Sequence, residues 1–214
     1  MTVRQTKYMT QVPNFNVEDS LQNDTLQVDT LRHQIWQQLQ RASVDKHHEW
    51  RSPVLVTNGI DNDQVSAPNI WPDARTVILR AVDLNSNTLT FYTDSRSPKV
   101  SQLLSHPNAL LVFWSKRLNW QLRVKVNISV VTHGELHQKT WIIVKQSASA
   151  KDYLSLTAPG ELLTDNVKKS EPQQVVPHFA ILIARVINID WLALSRSGHQ
   201  RANINSNSFN FIVP

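Results

Sequence analysis

No cysteine occurs among the 214 residues. This excludes a disulfide scaffold, thiolate metal sites and a cysteine nucleophile. Glycine stands at only four positions, and neither G-x-G-x-x-G nor a P-loop is present. The longest apolar runs, such as Phe179-Ala-Ile-Leu-Ile-Ala184, are far too short to cross a bilayer. Met1-Thr-Val-Arg-Gln-Thr-Lys7 lacks the apolar core of a signal peptide, so the cytoplasm is the expected compartment. Ser155, Ser195 and Ser197 sit in no nucleophile-elbow pattern, which leaves hydrolase chemistry without support.

What is present suits a globular chain with an anionic small-molecule ligand. An apolar fraction of 41% supplies a sizeable core. The formal net charge is +5, yet Lys and Arg are scattered, and Lys116-Arg117 and Lys168-Lys169 are the adjacent basic pairs. No basic run is interleaved with aromatics, so a nucleic-acid-binding barrel is the less favoured reading and neither nucleic acid nor membrane is an expected partner. Residues 1–23 are polar, amide-rich and aperiodic, and read as a loose arm. Residues 24–214 read as a single domain.

From Asp24 a helical period begins, with Leu31, Ile35 and Leu39 on one stripe and Val28 and Trp36 beside it. Short β-type runs follow. Pro53–Thr57 stops at the turn signal Asn58-Gly59. Arg75–Asp83 and Leu89–Thr93 form a hairpin around Asn85-Ser-Asn87. Ser97-Pro98 opens a short helix whose apolar face is Val100, Leu103 and Leu104. Strands then cover Ala109–Trp114 and Trp120 to about Val131. A further helix spans about Glu135 to Gln146, with Thr132 as its cap. Strands return at Phe179–Asp190, near His199–Ile204 and at Phe209–Val213. Many antiparallel strands with inserted helices predict a mainly β protein, a closed or partly open barrel.

The chemistry concentrates around residues 75–99. Arg75 opens a strand, and Arg96, Ser97 and Lys99 bracket the helix start at Pro98. Free N–H groups at a helix N-terminus, a forked guanidinium and an ammonium together suit a phosphate dianion. The plainer alternative is a pair of solvated charges flanking a hairpin. Tyr92 and Thr93 end the strand before this helix and point to opposite faces. Gln121 opens a long strand and can both donate to and accept from a flat heterocycle. His47-His48-Glu49 and the His133, Glu135, His137 set lack a further ligand, so no metal site is expected.

In their joint order and spacing, these motifs resemble the pyridoxamine 5'-phosphate oxidase-like family of FMN-binding split barrels. The resemblance rests on Arg75-Thr-Val-Ile-Leu-Arg80, Thr93-Asp-Ser-Arg-Ser-Pro-Lys99 and Gln121-Leu-Arg123. Trp36, Tyr153, Pro159-Gly160, Trp191, Arg201 and a C-terminal proline follow the family's order, so the likeness covers about residues 25–214. It implies an antiparallel FMN-binding split barrel with flanking helices. Arg75, Arg96, Ser97 and Lys99 would hold the FMN phosphate. Thr76, Val77, Ile78, Leu79 and Arg80, with Tyr92 and Thr93, would line the ribityl chain and flavin, and Gln121 would meet the ring edge. Trp191 and Arg201 would reach the cofactor across a homodimer interface.

The same resemblance places Arg80, Trp141, Lys145, Ser149 and His199 around a substrate. It also exposes departures. A Tyr, an Arg and a Ser are expected where Trp141, Lys145 and Ser149 stand. The R-x-H-x-R motif reads Ser197-Gly-His199-Gln-Arg201. Pro98 replaces a basic residue, and a glycine expected near Lys125-Val126 is missing. FMN binding is therefore expected to survive while a vitamin B6 substrate is in doubt. The function implied is an FMN-dependent oxidoreductase acting on a small anionic substrate, such as a phosphorylated amine or alcohol. No general base is assigned; His199 and Arg201 are the polar groups over the flavin face. The alternative is a non-catalytic flavin protein for storage or sensing.

Overall fold

The computed structural model describes residues 21–61, 69–162, 177–205 and 208–214. The expected loose arm lies almost wholly outside these residues. Among the described residues, three α-helices and nine strands succeed one another as α1 (Leu21–Val44), β1 (Val54–Asp61), β2 (Asn69–Thr76), β3 (Leu79–Asp83), β4 (Thr88–Asp94), α2 (Pro98–Ser105), β5 (Asn108–Ser115), β6 (Trp120–Val131), α3 (Glu135–Val144), β7 (Phe179–Ala193), β8 (Gln200–Asn205) and β9 (Phe209–Ile212). All ladders are antiparallel, in the order β2-β1-β5-β6-β7-β4-β3, with β8 on β7 and β9 on β8. No helix among the described residues is long and apolar enough to cross a membrane.

The barrel is split because β7 changes partners along its length. Phe179–Arg185 pair with β4, whereas Asn188–Ala193 pair with β8, and β6 runs beside both halves. The register of β6 on β7 shifts between Lys125 and Val126, leaving Ile187 unpaired opposite. Such a bulge bends the strand and strengthens its twist, which lets one sheet curl around a core. This is the place where the motif lacks its glycine.

Alternation on β6 sends Trp120, Leu122, Val124, Val126 and Ile128 inward. They meet Leu55, Leu111, Phe113, Phe91, Leu182 and Trp191 in one contiguous core. The α1 stripe Leu31, Ile35 and Leu39 is fully buried on this core. Arg51 closes the C-terminal end of α1 by donating to the carbonyls of Ala42 and Ser43. The Glu49 carboxylate accepts from the Ser115 hydroxyl and from the Lys116 and Arg117 amides at the β5–β6 turn. His47, His48 and Glu49 thus serve local structure.

Four sequence expectations change here. β1 continues through Asn58-Gly59, because Gly59 lies extended opposite Trp71 in a long hairpin with β2. Arg75–Asp83 is not one strand but the end of β2, a crossing at Val77-Ile78, and β3. α3 is preceded by Gly134 at φ 90°, a left-handed conformation that suits glycine, rather than capped by Thr132. Leu104, expected on the buried face of α2, is exposed.

His48 gives the fold a pH dependence. Its Nε2 pairs with Gln38 of α1 at 3.0 Å and its Nδ1 accepts from the Trp50 amide. Burial, then the charges of Arg117 and Arg41, hold its pKa below the ordinary value of 6.5. The unfolded chain therefore binds a proton before the folded one as pH falls through 6.5, so acidification destabilises the fold there. Denaturant unfolding is expected to show lower stability at pH 5.5 than at 7.5, with the difference reduced in His48→Gln. An unchanged difference in that variant would assign the effect elsewhere.

Candidate cofactor site

Arg75 of β2 stands opposite Leu55, and Asp73 opposite Thr57. Directly opposed residues share a face, so Thr57, Asp73 and Arg75 rise together on the side that α2 covers. There they close a ring with Gln102 of α2. Arg75 donates to the Thr57 hydroxyl and, at 3.2 Å, to Gln102 Oε1, and its guanidinium pairs with Asp73. Thr57 donates to Gln102 Oε1 at 2.6 Å, and Gln102 Nε2 donates to Asp73 at 2.9 Å.

Beside this ring, β4 ends and α2 begins. Thr93 and Ser97 are 7% and 4% exposed. Lys99 Nζ donates to the Thr93 hydroxyl at 3.1 Å and to the Ser97 hydroxyl. Ser97 makes no side-chain cap to its own helix. Among the described residues Lys99 has no carboxylate within ion-pair distance. Burial, reinforced by the Arg75 charge, holds its pKa below the usual lysine value. A half-buried ammonium whose contacts are two hydroxyls, next to a second cation at a helix start, favours an incoming anion.

Arg96 stands apart from this pair in its contacts. It grips Asp94 through Nε at 3.1 Å and Nη2 at 2.7 Å, and donates to the carbonyls of Ser155, Leu156 and Thr157. Burial works against ionisation of Asp94, but these bonds outweigh it and hold the carboxyl below its usual range. Arg96 ties the 155–157 loop to β4 through these contacts.

On the neighbouring side, Arg80 occupies a bulge between Leu79 and Ala81. Its guanidinium lies 5.7 Å from the Tyr92 ring centroid, and its Nε is buried without a partner. Tyr92, Tyr153 and Trp141 all contact the Phe179 ring, at centroid distances of 5.2, 5.1 and 5.4 Å. Burial raises the phenol pKa of both Tyr92 and Tyr153. Trp141 is thus part of an aromatic cluster that fastens α3 to β7, while Lys145 is exposed and the Ser149 hydroxyl meets that of Ser147 at 3.0 Å.

The remaining candidates lie elsewhere. Gln121, Leu192 and Arg201 are in register across β6, β7 and β8, with Trp114 beside Gln121 on β5. Gln121 alternates with the inward Trp120 and Leu122, so this row faces outward, opposite in sense to Arg75. Three inter-strand spacings and three residues separate Gln121 from Arg75, roughly 17 Å in a flat sheet. Arg201 clasps Asp190 at 2.9 and 2.8 Å, and Arg123 reaches the same carboxylate. These bonds hold the Asp190 pKa down. His199 accepts from the Ser195 amide at 3.2 Å in a cleft of about 770 Å³ lined also by Asn119, Arg196 and Ser197. Trp191 differs from expectation. It is 0% exposed and packs edge-on against Trp120 at 5.3 Å, inside the core.

Known proteins share part of this sequence. The family model for the FMN-binding domain of pyridoxamine 5'-phosphate oxidase matches residues 33–132, a segment containing Arg75, Lys99 and Gln121. A pyridoxine/pyridoxamine 5'-phosphate oxidase from Azorhizobium caulinodans is 41% identical over 68 residues, 32% of this chain and 31% of that protein. One from Thermosynechococcus vestitus is 36% identical over 81 residues, 38% of this chain and 34% of that protein. Residues 33–132 are thus similar to the FMN-binding domain of the pyridoxamine 5'-phosphate oxidase family. The chain's aligned stretch spans about a third of the length of these curated relatives.

Two solved structures share this fold. A pyridoxamine 5'-phosphate oxidase-related, FMN-binding protein from Nostoc punctiforme superposes with a TM-score of 0.64 at 24% identity, covering 86% of this chain and 96% of that one. PhzG from Burkholderia lata superposes with a TM-score of 0.59 at 17% identity, covering 87% and 92%. Within this split barrel, sequence reading missed Thr57, Asp73, Gln102 and Asp190. The acidic Asp73 two residues before Arg75 was the one local signal available, because alternate strand residues share a face.

Proposed function

We propose that this chain is a cytoplasmic, homodimeric FMN-dependent oxidoreductase acting on a small anionic substrate. The observation that carries the cofactor assignment is Lys99, half-buried, depressed in pKa and facing two hydroxyls rather than a carboxylate. Lys99, Arg75, Thr93 and Ser97 would hold the FMN phosphate. Bound FMN would supply the hydride-accepting chemistry, and the protein's part is to bind and orient it.

Two features support a dimeric site. The Arg75–Lys99 cluster and the Gln121–Arg201 row lie on opposite faces of one sheet, so a single copy does not bring them together. Between the strands that carry them, the outward face is apolar where a solvated antiparallel sheet is usually polar. Val54, Trp114, Ile187 and Leu194 are exposed, and Val56, Leu110, Val112 and Leu192 are half-buried. A second copy laid on this face would set one protomer's cation cluster against the other's Gln121 row.

Arg80, His199 and Arg201 are the cations and polar groups offered to a substrate. Trp141 and Lys145 lack the hydroxyl and fork that grip a phosphate in relatives, which favours a substrate other than a vitamin B6 phosphate. The storage or sensing reading draws on the same replacement, because Trp141 is committed to the aromatic cluster. The isolated protein is expected to be yellow and to release FMN on denaturation. Peroxide production with a panel of phosphorylated and carboxylated amines and alcohols separates enzyme from carrier. FMN content with no turnover of any member favours the carrier, and a protein that takes up no flavin refutes both.

A further inference from the structure

We propose that Asp73 is a built-in counter-ion that occupies Arg75 and competes with the cofactor phosphate for it, an inference that rests on the FMN assignment above. The pairing is direct, and it is closed by Gln102 Nε2, which donates to the same Asp73 carboxylate oxygen at 2.9 Å. Arg75 is 19% exposed at its side chain and Asp73 45%, so the carboxylate stands at the solvent side of a largely covered guanidinium. An anion approaching Arg75 therefore meets a like charge at its edge.

The local charge count explains the effect. Arg75 and Lys99 contribute two positive charges, and Asp73 cancels one of them; Asp94 is already neutralised by Arg96. A phosphate dianion thus enters a cluster of net charge +1 rather than +2. The carboxylate keeps Arg75 extended toward α2 in the absence of ligand, at a cost to affinity that a neutral isostere would lift. Asn retains an oxygen that can accept from Arg75 or Gln102, so the ring of hydrogen bonds can persist without the charge.

The test is flavin affinity, read by quenching of flavin fluorescence, for FMN and for riboflavin, which lacks the phosphate. Asp73→Asn should tighten FMN binding by about fivefold or more, the factor equivalent to about 1 kcal/mol, and leave riboflavin affinity unchanged. In an Arg75→Ala background the same substitution should have a much smaller effect on FMN. Asp73→Ser, which also removes the charge, guards against a fold defect in the first variant, with thermal melts as the check. Unchanged or weaker FMN binding in both variants would overturn the counter-ion role while leaving the phosphate site intact. Equal tightening of riboflavin would overturn it too. Failure of every protein, wild type included, to bind FMN would overturn the cofactor assignment and this inference together.

Discussion

Replacing Arg75 and Lys99 together by alanine is expected to strip the protein of FMN. Each charge-assisted hydrogen bond to a phosphate contributes about 1.5–3 kcal/mol, so the pair accounts for roughly 3–6 kcal/mol, a factor of about 10² to 10⁴ in affinity. The fold should tolerate the change. Neither cation is in the apolar core, and Lys99 contacts two hydroxyls that remain next to each other after its removal. Equilibrium dialysis with FMN, beside a thermal melt of the free protein, gives both quantities. An unaltered flavin content in the double variant would remove the phosphate assignment.

The second large effect concerns assembly. Leu110 stands opposite Val56 on β1 and Lys125 on β6, on the outward apolar face. Leu110→Arg would place a guanidinium beside the like-charged Lys125 in the proposed dimer contact, where an unpaired buried charge costs several kcal/mol. Sedimentation is expected to show dimers for the wild type and monomers for the variant at micromolar concentration. FMN should be lost with the dimer, although Arg75, Lys99, Thr93 and Ser97 are untouched. Flavin retained at full occupancy by a monomer would contradict a site built by two copies.

Much of this molecule is legible in its sequence because the relevant physics is local. The alternation of Trp120–Val131 reads directly as an inward and an outward face. Pro98 at the first turn marks the start of α2. β2 is masked by its composition. Trp71-Pro72-Asp73 carries turn-type residues, and proline is tolerated there because β2 is an edge of the sheet. Asn58-Gly59 likewise has the composition of a turn, though Gly59 sits in β1 opposite Trp71.

The site itself is legible only in its cations. Nothing in the local sequence says that Thr57 and Gln102 close a ring with Arg75, since those contacts join residues 18 and 27 positions away. Likewise, Arg96 looks identical in sequence whether it meets a phosphate or Asp94. The choice depends on where the 155–157 carbonyls fold. Trp191 shows a different failure. Its place in the order of motifs suggested a ligand contact, whereas its register opposite Leu122 places it with the core.

A crystal structure of the protein grown with FMN tests the central claim most directly. The account predicts the phosphate within hydrogen-bonding distance, about 2.7–3.2 Å, of Lys99 Nζ and the Arg75 guanidinium, beside the Thr93 and Ser97 hydroxyls. A phosphate bound elsewhere, with Lys99 still on its two hydroxyls and Arg75 still on Asp73, would contradict it.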